Sequence, residues 1–466
     1  MLIHSENRTA RAPGPTGVEL IRSVIQMRRD RIEFIEAAWR QYGDLVRLRL
    51  GKGLLFLASK PAYARHILCD NRQNYTKGIG LTDAAPLLGS GLLTGEGAHW
   101  ATYRSLLQPA FHTSRLEALS AAATRATEDA IKRWDAHRRD GKPLDISIEM
   151  ARLTLSILGM ALFGAEFDCV EEMQRDLSCL SDWATRRMMS LLKPPLGWRT
   201  PGNWKARQAL LRLEARVHEL VRRHPSETSF ACPDFVDLLQ RGEADGKSLR
   251  DEILTILLAG HDTTAAALTW SWYLLAKHPE AGDRLRRETD NVLRGRPPVS
   301  TDLPRLSCAR EIVSEALRLY PPVWVIPRRA IRADRLGTYE IPSGSEVLVS
   351  VWSIHRHPAY WRDADRFIPE RFRHESQHPG GQPAYIPFGA GPRSCIAGRF
   401  GLYEAVHVLT QVSQEYHLEL APGIQVRPEG SLTLRPHGGL PMIVKSARAA
   451  FPQARRSYTM QPASMI

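Results

Sequence analysis

The sequence predicts a mainly α protein with small β-sheets, folded as a single large domain. Three observations carry this expectation. Helical periodicity runs from Ser114 to about Arg223, with one interruption, and again from Leu249 to Lys277. Period-two alternation is confined to short pieces such as 44–50 and 345–351. The residues equipped for chemistry are spread from Trp100 to Cys395, so one site draws on most of the 466 residues. The domain is expected to cover 1–450, with a polar C-terminal tail over 451–466.

Taken in order, the proline-rich start gives way to a helix over Val18 to Tyr42. Asp44 to Leu50 alternates polar and apolar, Gly51-Lys52-Gly53 turns and Leu54 to Ala58 returns, a β-hairpin followed by a helix from Pro61. Residues 77–95 place glycines at 78, 80, 89 and 91 among Leu81, Leu87, Leu88 and Leu92, and read as a mobile loop with apolar side chains. Gly97 to Arg104 opens the next helix, on which Trp100 and Arg104 stand four apart and project two donors from one face. The long helices that follow are interrupted at Lys193-Pro-Pro-Leu-Gly-Trp198, just after Met188, Met189, Leu191 and Leu192. Cys232 to Leu239 precedes a polar loop, and the mostly apolar Leu249–Lys277 run is expected to be the central helix.

Composition narrows the function. Hydrophobic residues make up 43% and aromatics 8%, enough for a packed core. Lys+Arg 63 against Asp+Glu 50 gives a net charge of +13, but the excess is dispersed and lacks a dense basic run interleaved with stacking aromatics, so no nucleic-acid partner is expected. A basic face could serve an acidic electron-transfer protein, because complementary charge speeds encounter. A basic surface with no such purpose is the alternative. Six cysteines (Cys69, Cys169, Cys179, Cys232, Cys308, Cys395) show no Cys-x-x-Cys pair, which points to reduced thiols in a cytoplasm rather than disulfides or zinc. No stretch of roughly 18 apolar residues is read, and Glu6, Arg8, Arg11 and Glu19 punctuate the start, so neither a membrane anchor nor a signal peptide is expected.

The most informative stretch is Phe388-Gly-Ala-Gly-Pro-Arg-Ser-Cys-Ile-Ala-Gly398, which leads into an amphipathic helix with Phe400, Leu402, Ala405 and Leu409. Gly389 and Gly391 permit a tight loop around the sulfur of Cys395, and Pro392 stiffens it. A helix starting almost at the cysteine stabilises an anion there and is expected to favour the thiolate. A thiolate is what haem iron needs on its proximal side for oxygen to be activated. Arg393 can neutralise a carboxylate such as a haem propionate.

Inside the central helix sits Ala259-Gly-His-Asp-Thr-Thr264. Gly260 permits a kink, and a threonine hydroxyl can take over a freed carbonyl. Asp262 and Thr263 combine a carboxylate able to reach water with a hydroxyl able to hold a water, the minimal equipment of a proton relay. His261 lacks a partner ligand and is not read as a metal site. Glu315 and Arg318 are three apart on one helix, able to pair, and Phe367-Ile-Pro-Glu-Arg-Phe372 supplies Arg371.

Together these strings resemble the cytochrome P450 family over almost the full length. The haem-loop pattern is matched by Phe388, Gly391, Arg393 and Cys395, with Ala397 where the family has glycine. The resemblance implies the cytochrome P450 fold, with haem b between the central helix and the Cys395 loop. Cys395 would be the iron ligand and Phe388, Trp100, Arg104 and Arg393 would help to hold the haem. Arg328, or else Arg329, on a strand from Val323 would hold the second propionate. Asp262 and Thr263 map onto the family's acid–alcohol pair, and Glu315, Arg318 and Arg371 onto its buried salt-bridged triad.

By the same resemblance the 77–95 segment drapes over the substrate, residues 188–198 form the roof unless they merely pack in the core, and Gly438-Gly439-Leu440 turns into the pocket. The implied activity is a soluble, bacterial-type monooxygenase that takes O2, an apolar small molecule (terpenoid, fatty acyl or polyketide-like) and electrons from a separate ferredoxin and reductase. No flavin, nicotinamide or Fe–S fingerprint is present to supply them internally. A peroxide-using relative and a haem sensor without turnover are the other readings.

Overall fold

The computed structural model describes residues 10–51, 53–190, 193–224, 234–242, 244–373 and 384–447. Leu191, Leu192, Cys232 and the 451–466 tail lie outside the described residues.

The N-terminal helix of the sequence reading is two helices, α1 (Gly17–Arg29) and α2 (Arg31–Tyr42). Asp30 separates them in an extended conformation, its carboxylate accepting the N–H groups of Ile32 and Glu33 at 3.0 Å each. A side chain that caps the second helix ends the first. The hairpin forms as expected, β1 (Leu45–Leu50) against β2 (Gly53–Ala58) with Leu45 opposite Ala58. After α3 (Pro61–Arg65), β3 (Tyr75–Lys77) leads into the 77–95 segment. That segment is not simply a loop: α4 (Leu81–Leu88) forms in its middle and buries Leu87 and Leu88 in the core. Pro86, in the second turn, and left-handed Gly80 and Gly89 at either end mask the helix in the sequence.

Helices α5 (Gly97–Leu107), α6 (Leu116–Asp140), α7 (Ile146–Phe163), α8 (Val170–Met189) and α9 (Pro201–Arg223) follow, with β4 (Leu144–Asp145) before α7. Short α10 (Phe235–Arg241) precedes the central helix α11 (Gly246–Lys277), then α12 (Pro279–Leu293) and α13 (Ser307–Leu319). The core lies where α11 packs on α7, α13 and α15 (Gly398–Glu415), with α6 against α7 and α15. Helix α7 is the one described helix long and apolar enough to cross a membrane, a stretch the sequence reading passed over, and 72% of it is buried inside the protein. Glu149 on α7 is covered too, accepting the indole N–H of fully buried Trp134 at 2.7 Å.

The sheets are small. Strands β5 (Val325–Ala330), β6 (Asp334–Leu336), β7 (Tyr339–Ile341) and β8 (Glu346–Ser350) are followed by one-turn α14 (Val351–Ile354). The main sheet has the order β1-β2-β8-β5-β3, and places Lys77 opposite Arg328. After α15 come β9 (Tyr416–Leu420), β10 (Pro428–Gly430), β11 (Leu434–Pro436) and β12 (Pro441–Ser446), with β12 between β4 and β9.

The Glu315–Arg318 pair is fully buried. Arg318 Nε and Nη2 donate to the two Glu315 oxygens at 2.7 and 2.8 Å, and its remaining N–H groups reach the carbonyls of His355, Ala364 and Arg366. Arg371 Nε adds a third charge-assisted bond to Glu315 at 3.0 Å. The two helix neighbours thus fasten the 355–371 stretch to α13, since a buried charge is tolerated only when fully partnered.

Candidate active site

The Cys395 loop, α11, β5 and the turn between β10 and β11 enclose a cavity of about 570 Å³. Cys395 N–H donates to Phe388 O at 2.8 Å, which closes the loop on itself. Gly391 has φ +71°, and a Cβ there would meet the Leu68 carbonyl oxygen at 2.2 Å, so the loop's approach to the Leu68 backbone requires glycine. Cys395 lines this cavity with accessible surface. Burial pushes the Cys395 thiol up, against the lowering pull of the Ala397 N–H and the Arg104 charge. Helix α15 begins three residues later, at Gly398, and the Ala397 N–H just before it acts in the direction expected of a helix start, against desolvation. A bound metal cation would supply the missing charge.

Asp262 and Thr263 line the same cavity as Cys395. Thr263 Oγ1 donates to Ala259 O at 2.8 Å and Thr264 Oγ1 to Gly260 O at 3.2 Å, each to the carbonyl one turn back. Helix α11 is continuous through Gly260, where a Cβ would lie 2.5 Å from Leu158 Cδ1 on α7. His261 points away from metal chemistry. It is 2% exposed, its Nδ1 lies 2.6 Å from Leu257 O, and burial lowers its pKa.

One edge of the cavity is cationic. Trp100, Arg104, Arg328 and Arg393 all line it, and so does Lys77, which sequence reasoning missed. Arg104 Nη1 donates to Ser394 O at 2.8 Å, tying α5 to the cysteine loop. Arg328 is buried and lines the cavity, whereas the Arg329 side chain is 60% exposed and reaches Glu346. Burial and nearby Arg393 bring Arg328 down to about 10, Glu96 opposing them. Burial likewise brings Lys77 down to about 7, with Glu96 raising it and Arg393 and Arg328 lowering it. Its ammonium is held by the carbonyls of Leu92 and Gly95 at 2.8 and 2.6 Å. Arg393, expected to neutralise a carboxylate, lines the cavity. It is paired with Glu96 and lies over the Trp100 ring, 5.3 Å from its centroid.

Cations in this number, partly desolvated and only partly matched by nearby carboxylates such as Glu96, fit the two carboxylates of haem b, as the thiol fits its iron. The 77–95 segment contributes Ile79, Leu81, Leu92 and Leu93 to the wall, and Met188 does so from the end of α8. Gly438-Gly439-Leu440 does not reach the cavity. Leu440 is buried in the helical core, and a Cβ on Gly439 would meet Asp145 at 2.1 Å. The turn that does reach it is Ser431-Leu432-Thr433. Glu404, also missed, lines the cavity with a fully buried carboxyl whose Oε1 has no partner, and burial raises its pKa well above the usual range. An acid on the apolar face one turn after Phe400 was its only sequence signal.

Residues 12–440 match the family model for cytochrome P450. Cyclooctatin synthase of Streptomyces melanosporofaciens is 34% identical over 90% of this chain and 92% of its own length. Cyclooctat-9-en-7-ol 5-monooxygenase of the same organism is 34% identical over 89% and 90%. The chloroplastic protein LUTEIN DEFICIENT 5 of Arabidopsis thaliana is 31% identical over 82% and 68%. With a cysteine loop facing Asp262 and Thr263 across a cavity and this family matched over most of its length, the chain belongs to the cytochrome P450 family, whose cofactor is haem b and whose activity is that of a monooxygenase.

Proposed function

We propose that the protein hydroxylates or epoxidises an apolar terpenoid-like molecule, inserting one oxygen atom from O2 and drawing electrons from a separate ferredoxin and its reductase in the cytoplasm. The single observation that carries this reading is one cavity lined by Cys395, Asp262, Thr263 and many leucines, isoleucines and valines. The names of the two Streptomyces relatives favour a terpenoid over the fatty acyl and polyketide-like alternatives. Described cysteines that remain free accord with a reducing compartment.

Haem b, when bound, supplies the activation of dioxygen. In this reading Cys395 is its ligand, Phe388 shields the sulfur side, and Trp100, Arg104, Arg328 and Arg393 hold its carboxylates. Lys77 joins them. Thr263 holds a water in the groove, Asp262 passes protons to it, and the apolar walls keep bulk water from the reacting carbon. The Glu315, Arg318 and Arg371 cluster is architectural.

The test is direct. The reduced, haem-loaded protein exposed to carbon monoxide should show the absorption band of sulfur-ligated iron, and Cys395→Ser should lose it. Turnover should depend on reduced ferredoxin. Turnover that runs on peroxide and ignores ferredoxin would overturn the electron-donor assignment, and a missing band in folded, haem-loaded protein would overturn the whole reading.

A further inference from the structure

Asp262 does not stand alone in the groove. Its Oδ2 accepts the hydroxyl of Thr433 at 2.6 Å, across 171 residues of sequence. Thr433 is 7% exposed and belongs to the turn between β10 and β11, which lines the same cavity. A hydroxyl donates one proton, so giving it to Asp262 fixes both the hydroxyl rotor and the tilt of the carboxylate. A bond this short to a carboxylate is of the charge-assisted kind, about twice as strong as a neutral one.

The turn itself is held from several sides. Arg31 Nη1 donates to Gly430 O at 2.6 Å, and Trp324 Nε1 to Ser431 O at 2.9 Å. Two further links go to α8, the helix that brings Met188 to the cavity: Leu432 N–H donates to Thr185 Oγ1 at 3.0 Å, and Arg435 pairs with Asp182 at 2.9 Å. The acid's orientation thus depends on the turn, and the turn's position depends on α8. Nothing in the helix motif 259–264 specifies this.

We propose that Thr433 is a positioning residue for the proton-delivering Asp262, and that the link from α8 through Thr185 to the Leu432–Thr433 turn makes the acid's orientation respond to the seating of the helix over the cavity. This rests on the reading of Asp262 given above. Val is nearly isosteric with Thr, so Thr433→Val removes the hydroxyl with the fold retained.

The experiment uses the haem-loaded full chain with a plant-type ferredoxin, its reductase and geranylgeraniol as the terpenoid alcohol probe, and measures peroxide released per NADPH consumed and the solvent deuterium isotope effect on NADPH consumption. Thr433→Val should raise the peroxide share about three- to tenfold, the size expected for losing one hydrogen bond, and change the isotope effect. Thr433→Ser should restore both, and Thr185→Val should shift them in the same direction by less. A crystal structure of Thr433→Val should show the Asp262 carboxylate rotated from its wild-type position. The proposal is overturned if that carboxylate stays in place with peroxide release unchanged, or if Thr433→Ser behaves like Thr433→Val. Asp262→Asn separates the two levels. If it leaves peroxide release unchanged, the proton-delivery reading falls and takes this proposal with it; if it raises release while Thr433→Val does not, only the proposal falls.

Discussion

Glu96 grips Arg393 with both carboxylate oxygens, Nη1 donating to Oε1 at 2.8 Å and Nη2 to Oε2, although 297 residues separate them. The same Oε1 accepts the Lys77 backbone N–H at 2.6 Å. One partly exposed acid therefore ties together β3, the segment before α5 and the cysteine loop. Glu96→Gln should lower unfolding free energy by about 1–2 kcal/mol, a figure reduced from that of a buried pair because the two side chains are 34% and 23% exposed. Urea denaturation of the haem-loaded protein measures it.

Breaking the buried cluster should cost more. Glu315→Gln leaves Arg318 and Arg371 without their carboxylate, an expected loss of about 3–5 kcal/mol. Little folded, haem-loaded protein should accumulate on expression. Arg371→Ala, which removes the more exposed arm, should be milder.

Arg328 and Arg329 should differ sharply despite adjacency. Arg328→Ala should speed haem loss to a scavenging apoprotein, because its guanidinium is buried at the cavity edge. Arg329→Ala, pointing outward, should leave that rate near wild type.

Glu404 makes stability depend on pH. Its folded-state pKa lies well above 4.5, so between 4.5 and that higher value the folded state keeps a proton the unfolded chain has released. The stabilisation is complete below the unfolded pKa and is lost, at up to about 1.4 kcal/mol per pH unit, as pH rises toward the folded one. Glu404→Gln should remove this slope. Melting temperatures of the two proteins should diverge, in the variant's favour, as pH increases from 5 to 8.

Gly260 on α11 lies beside Leu158 of α7. Gly260→Ala gains about 1 kcal/mol of helix propensity but places a methyl 2.5 Å from Leu158 Cδ1, for a net loss of about 1 kcal/mol. In a double-mutant cycle with Leu158→Val the clash should be relieved, giving a favourable coupling of about 1 kcal/mol.

The sequence by itself determined the fold class, the cysteine loop and the place of Asp262 and Thr263 on the central helix, because each is written in consecutive residues: glycines with required backbone angles, apolar positions at helical period, and polar groups placed where leucine would be ordinary. It also encodes the break between α1 and α2, in Asp30 three residues before Glu33. Only the tertiary structure decided which distant side chains meet. Glu96 meets Arg393, Thr433 meets Asp262, Arg328 rather than Arg329 turns inward, and the 431–433 turn rather than Gly438-Gly439 reaches the cavity. The physical reason is range. Backbone angles and helix caps act over a few residues, whereas desolvation and charge pairing depend on what the packed chain brings alongside, so the thiol of Cys395 is raised by burial that its own loop does not encode.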